Sequence, residues 1–99
     1  MVVVEGEPTL VVPTAFSPNN DDVNDVFNVI PKNGVIENYY ITIWNRWGNC
    51  IFESDNIAEG WDGTYKGIDQ ELEVYVYTIK YNFVGEQQKF YSGNVTLVR

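Results

Sequence analysis

Four oxygen-bearing side chains crowd one short stretch: Asn19, Asp21, Asn24 and Asp25 lie within Ser17-Pro-Asn-Asn-Asp-Asp-Val-Asn-Asp25. Carboxylate and amide oxygens on a loop with free backbone carbonyls are the donors a hard cation such as Ca²⁺ takes. The spacing is not that of an EF-hand loop, because no glycine sits at the sharp turn and no bidentate Glu closes the set. The same residues also build Asx turns, in which each side chain bonds its own backbone and tolerates a left-handed conformation, so calcium is a possible ligand rather than a required cofactor. Asp62, with Glu59 or Glu53 as partner, supplies the paired carboxylates that glycoside hydrolysis uses. Nothing in the spacing sets the distance between them, and Asp62 before Gly63-Thr64-Tyr65 equally suits a turn whose N–H groups it accepts. Trp44, Trp47 and Trp61 stand near turns and offer stacking rings for a sugar, or else core residues, with Arg46 stacked or ion-paired beside Trp47.

What is missing excludes more. The 99 residues include no histidine and one cysteine, which removes Ser–His and Cys–His nucleophiles, His-ligated zinc and an intrachain disulfide. Six basic residues stand against 14 acidic ones, for a net charge of −8, and no two basic residues are adjacent. That balance argues against nucleic acid or an anionic membrane surface as partner. No apolar run approaches the roughly 20 residues of a membrane-spanning helix, so direct membrane insertion is not expected. Met1-Val-Val-Val-Glu5 has no basic n-region or cleavage site, and a secretory leader is not expected within this chain. Seven acids between Glu53 and Glu73 face Lys66 alone, which reads as a solvated face or as a dock for a basic patch.

Positioning these residues falls to β-structure. Val, Ile, Tyr, Phe, Trp and Thr gather in short runs separated by Gly, Pro, Asn and Asp. Val74–Val84 is the longest strand, with Tyr75, Tyr77, Ile79, Tyr81 and Phe83 on the core face and Val74, Val76, Thr78, Lys80 and Asn82 opposite. Tyr39 to Ser54 forms a hairpin around Arg46-Trp47-Gly48-Asn49, with Tyr39, Ile41 and Ile43 on one face. Both faces of its first strand are bulky, which predicts cover on both. Val26–Ile30 resumes strand, Pro31-Lys32-Asn33-Gly34 turns, Trp61–Gly67 holds one short strand, and Lys89–Arg99 is the last, with Gly93 marking a bulge. About seven strands in about 100 residues, fifteen of them large aromatic rings, predict an all-β, immunoglobulin-like antiparallel β-sandwich. In it Tyr75 takes the tyrosine-corner role, bonding back to the loop before it.

Five ordered blocks then carry a resemblance: Pro13-Thr-Ala-Phe-Ser-Pro-Asn19, Asn24-Asp-Val-Phe27, Trp44-Asn-Arg-Trp-Gly48, Gly60-Trp-Asp-Gly-Thr-Tyr65 and Tyr75-Val-Tyr77. The chain resembles the gliding-motility-associated C-terminal domain, the type B sorting domain of the type IX secretion system, over about residues 13–99. Residues 1–12 then read as a lead-in or first edge strand, the end of an upstream linker. The family usually alternates Gly with Asp where this chain has Asn20-Asp21-Asp22, and has Gly where Glu73 precedes Tyr-x-Tyr. Cys50 holds what is usually an apolar strand position, as a small buried side chain. The resemblance implies a folded address label at the end of a larger exported protein of Bacteroidetes, not an enzyme, carried through the periplasm to the cell surface or medium. It implies Arg99 as the natural end, a leader far upstream, and secretion components as partners, including a PorP/SprF-like outer-membrane β-barrel protein. Within such a label, Arg46 and Trp47 at the hairpin tip and Gly93, Thr96, Val98 and Arg99 on the last strand are the expected partner-binding residues. The tip joins a cation to an aromatic ring, and the strand ends the chain. A carbohydrate-binding or adhesin-type sandwich module is the alternative.

Overall fold

β8, the central strand Val74–Phe83, buries every second residue as its alternation requires: Tyr75, Tyr77, Ile79, Tyr81 and Phe83 all lie in the core. In the computed structural model, which describes residues 6–22 and 24–99, eight more strands surround it. They are β1 (Thr9–Val11), β2 (Ala15–Phe16), β3 (Ile30–Lys32), β4 (Ile36–Trp44), β5 (Cys50–Ser54), β6 (Thr64–Tyr65), β7 (Ile68–Asp69) and β9 (Lys89–Leu97). Of the lead-in or first edge strand expected over residues 1–12, residues 1–5 lie outside the described residues, and Thr9–Val11 forms β1.

A five-stranded sheet in the order β2-β9-β8-β4-β5 forms one layer. Its inner face presents Tyr39, Ile41 and Ile43 from β4, the β8 set, and Val95 and Leu97 from β9. Across from it lie the β1–β3 ladder and the backbone bridge between Phe27 and Trp61, whose N–H groups each donate to the other's carbonyl at 2.8 and 3.1 Å. Phe16, Phe27, Val29 and Trp61 fill the space between, with Leu10 and Val12 packed on the margin. The architecture is all-β and sandwich-like, as the alternation predicts.

Several local expectations are corrected. Among the described residues there are nine short strands where about seven were expected, because Trp61–Gly67 extends into a tiny hairpin, β6–β7, turned on Lys66 (φ 54) and Gly67 (φ 78). The sandwich is not wholly antiparallel, since β2 pairs parallel to β9. Pro31 and Lys32 belong to β3, where Pro31 opposes Leu10 in a two-stranded ladder that tolerates its missing N–H; the turn is Asn33-Gly34 alone. Within Val26–Ile30 only Phe27 and Ile30 pair.

Gly93 marks no bulge, for it stands in register opposite Tyr77. A Cβ there would meet the Tyr77 hydroxyl at 2.6 Å, so the missing side chain lets that ring lie across β9 beside Tyr91. The irregularities fall on β4 instead, between Glu37 and Tyr40, where Asn38 is left-handed (φ 55), and between Ile43 and Trp44. Asn82, expected on the outward face, is buried, and it is satisfied by Asn38 and Glu37 through bonds of 2.8 and 2.7 Å.

Cover on both faces of β4 is also overturned. Tyr40 and Trp44 are 40% and 36% exposed, because the second layer packs on one side of the sheet only. Cys50 is half-buried at the start of β5 rather than enclosed.

Candidate functional site

One end of the sandwich gathers three of the six residues expected to bind a partner, Arg46, Trp47 and Arg99. The β4–β5 tip is built by Asn45, whose side-chain oxygen accepts the N–H groups of Trp47 and Asn49 at 3.0 Å each, while Gly48 turns the chain with φ 79. This holds Trp47 outward, 72% exposed, with the Arg46 guanidinium 4.9 Å from its ring centre. Arg46 also reaches Glu71 and Glu73, each at 3.5 Å.

The last residues come to the same segment from the other side. Arg99 donates to the Gln70 carbonyl at 2.9 Å and lies 3.9 Å from Asp69. Two arginines far apart in sequence thus frame residues 69–73 and partly neutralise the acidic stretch, which is neither a purely solvated face nor an open acidic dock. Asn45, Trp47, Asp69, Gln70, Glu71 and Glu73 enclose a shallow pocket of about 130 Å³.

Not every expected residue joins this end. Val98 is 45% exposed and donates its N–H to Phe16 O at 3.0 Å, close to Arg99. Thr96 sits between β2 and β8, its N–H bonded to Thr14 O at 2.9 Å. Gly93 lies further back along β9, beneath Tyr77. Sequence reasoning missed Glu71 and Glu73 as the acceptors of Arg46, and Asp69 and the Gln70 carbonyl as those of Arg99; the acidity of the three carboxylates was visible, the proximity was not.

Beneath this end lies the tyrosine corner. The Tyr75 hydroxyl donates to Glu71 O at 2.7 Å, as expected, and ties the 69–73 segment to the core. Burial, reinforced by the negative charges of Glu73 and Glu71, pushes the Tyr75 phenol up to about 12. Burial does the same for Tyr39, and burial with the neighbouring Tyr91 phenol for Tyr77, both to about 12. Unfolded tyrosine ionises near 10, so above that pH the folded chain holds protons the unfolded chain releases. Stability is therefore complete below pH 10 and falls as the pH rises from 10 toward 12. Thermal melts from pH 8 to 11.5 should show a flat Tm that drops steeply above 10, and Tyr75→Phe should make the drop shallower. A Tm unchanged at pH 11.5 would contradict this.

The other candidates resolve locally. Asp25 organises its loop, accepting the N–H groups of Asn19 (3.1 Å) and Asn20 (3.0 Å) on one oxygen and of Asp22 (2.8 Å) on the other. Asn19 Oδ1 accepts the Asp21 N–H at 3.2 Å, and Asn20, Asp22 and Asn24 take positive φ of 64, 63 and 53. Asparagine and aspartate thus supply the left-handed turn positions of this loop without glycine. Asp62 accepts from the Thr64 N–H and hydroxyl at 3.0 and 2.6 Å, Glu59 from the Ser54 hydroxyl at 2.6 Å, and Glu53 from the Tyr40 hydroxyl. The three tryptophans share no platform: Trp61 is core, Trp44 lies on the outer sheet face with its indole N–H bonded to Thr42 at 3.0 Å, and Trp47 tops the hairpin.

The fold is an immunoglobulin-like sandwich whose carboxylates accept from turns, hydroxyls and arginines, and which brings Arg46, Trp47 and Arg99 to one end. The chain matches the family model of the CHU_C type IX secretion signal domain over residues 10–97, and it belongs to that family. No curated protein matches it. It is a sorting domain that directs export by type IX secretion toward the cell surface or the extracellular space.

Proposed function

We propose that the domain is a non-catalytic label, read in its folded form after crossing the periplasm, and that its reader is a PorP/SprF-like outer-membrane β-barrel protein. The observation that supports a reading surface is the meeting of Arg46, Trp47 and Arg99 around residues 69–73. An exposed aromatic ring with a cation stacked on it is the composition of a binding hot spot. The test is a signal-peptide, reporter and domain fusion in a bacterium with a type IX system, beside a mutant lacking the secretion pore. Reporter should leave the first strain and stay in the second. The double variant Arg46→Ala, Trp47→Ala should cut export without lowering Tm by more than a few degrees, since both side chains are largely exposed. Retention of a folded wild-type fusion in both strains overturns the label; full export of the double variant overturns this reading surface.

The Asn19–Asp25 loop, in our reading, folds on Asp25 and needs no calcium. Three backbone donors already converge on that carboxylate, and N–H groups aimed at a carboxylate replace the positive charge a cation would bring. A chelator should leave Tm unchanged, whereas Asp25→Ala should cost about 1–3 kcal/mol. A Tm that falls in chelator and recovers with Ca²⁺ would assign Asn19, Asp21, Asn24 and Asp25 as ligands instead.

A further inference from the structure

The five-stranded sheet ends in an edge that the described chain closes over only part of its length. β2 pairs with β9 at Thr96 and Leu97, through Thr96 N–H to Thr14 O and Val98 N–H to Phe16 O. In a strand the N–H and C=O of one residue point to the same side, and the side alternates with each residue. The β8–β9 register runs unbroken from Lys89 to Thr96, and Leu97 N–H turns inward to Glu73 O. Phe90, Ser92 and Asn94 therefore point their backbone groups outward, like Thr96, and among the described residues nothing meets them.

Edges of this kind are normally blunted by charge, proline or a bulge. Phe90-Tyr-Ser-Gly-Asn94 has none of the three. Phe90 is 77% exposed, and it rims a groove of about 420 Å³ on the outer sheet face with Tyr40, Thr42, Thr78, Lys80 and Ser92. The strand edge itself lacks the molecule's excess of acid, while Glu53 stands against Tyr40 and Thr42 on the far wall of the groove. The chain carries −8, yet residues 87–99 contain no acid, and Lys80 opposes Phe90 with no ion pair among the described residues.

We propose that Phe90–Asn94 is a docking edge for an extended strand of the export machinery, with apolar side chains at alternate positions and a carboxylate that meets Lys80. The inference rests on the folded-label reading above and adds how the reader takes hold: main-chain bonds along the edge give affinity, and the groove selects side chains. A second copy of the chain fits the edge less well, because it brings another −8 and leaves Lys80 without its carboxylate.

The experiment is export of the same reporter fusion carrying Ser92→Pro, Phe90→Asp or Lys80→Glu. Ser92→Pro removes an outward donor and leaves the inward ladder to β8 intact. Phe90→Asp and Lys80→Glu alter side chains outside the core, so they keep the test valid if the proline variant does not fold. Each should lower export by ~10-fold or more, the effect of one lost partner in a desolvated contact, while the cooperative melt is retained. Wild-type export with unchanged export of Phe90→Asp and Lys80→Glu overturns the docking edge and leaves the label standing. Failure of the wild-type fusion overturns both. A concentration-dependent dimer in analytical ultracentrifugation that Phe90→Asp abolishes, with export unchanged, assigns the edge to self-association and overturns the proposal.

Discussion

Trp61→Ala should destabilise the domain by about 3–5 kcal/mol, the loss expected when a fully buried large ring is cut back to a methyl group. Trp61 is 1% exposed and packs at 5.3 Å from Phe16 and 4.9 Å from Tyr75. Its indole N–H donates to Thr64 O at 2.9 Å, and its backbone is half of the bridge to Phe27. The substitution therefore opens a cavity and orphans a carbonyl where the second layer meets the first. A domain of this size has roughly 5–15 kcal/mol of stability to lose. Tm should fall by roughly 12–40 °C. The same change at Trp47, 72% exposed, should cost under about 0.5 kcal/mol. Differential scanning calorimetry of the two variants settles the comparison, and equal melting temperatures would mean that the core is not centred on Trp61.

Removing Val95–Arg99 should unfold the domain outright, and export of a fused reporter should vanish with it. Val95 and Leu97 are both 0% exposed, and Thr96 and Leu97 hold β2 in the sheet. Each lost aliphatic side chain costs about 2–5 kcal/mol, so the pair alone approaches the whole stability. Recognition and folding are thus entangled in that deletion. A chain ending at Leu97 separates them: it loses the Val98 bond to Phe16 and the Arg99 bond to Gln70, both near the surface, and should melt within roughly 10 °C of the parent. Circular dichroism of both truncations is the check. A folded, cooperatively melting chain that lacks Val95–Arg99 would overturn the assignment of β9 to the core.

Legibility followed the range of the interaction. Alternation in β8 and β4 was readable because a strand turns successive side chains to opposite faces whatever surrounds it. The Tyr75 corner was readable for a related reason, its acceptor at Glu71 being four residues away. The β6–β7 hairpin was not, since two-residue strands carry no period and Lys66 at positive φ gives no compositional cue. Gly93 was misread because its cause is a ring sixteen residues distant across the ladder rather than its own backbone.

By itself, then, the sequence determined an aromatic-filled all-β domain, the inward faces of its long strands, a chemistry without histidine or a disulfide, and a family resemblance carried by five ordered blocks. Tertiary structure alone decided which tryptophan is core, that Arg46 and Arg99 share the acids of residues 69–73, and that the backbone groups of Phe90, Ser92 and Asn94 meet nothing among the described residues. Backbone geometry imposes periodicity within a few residues. Burial, ion pairing and edge closure depend on which distant segments the core brings together, and no local pattern encodes that.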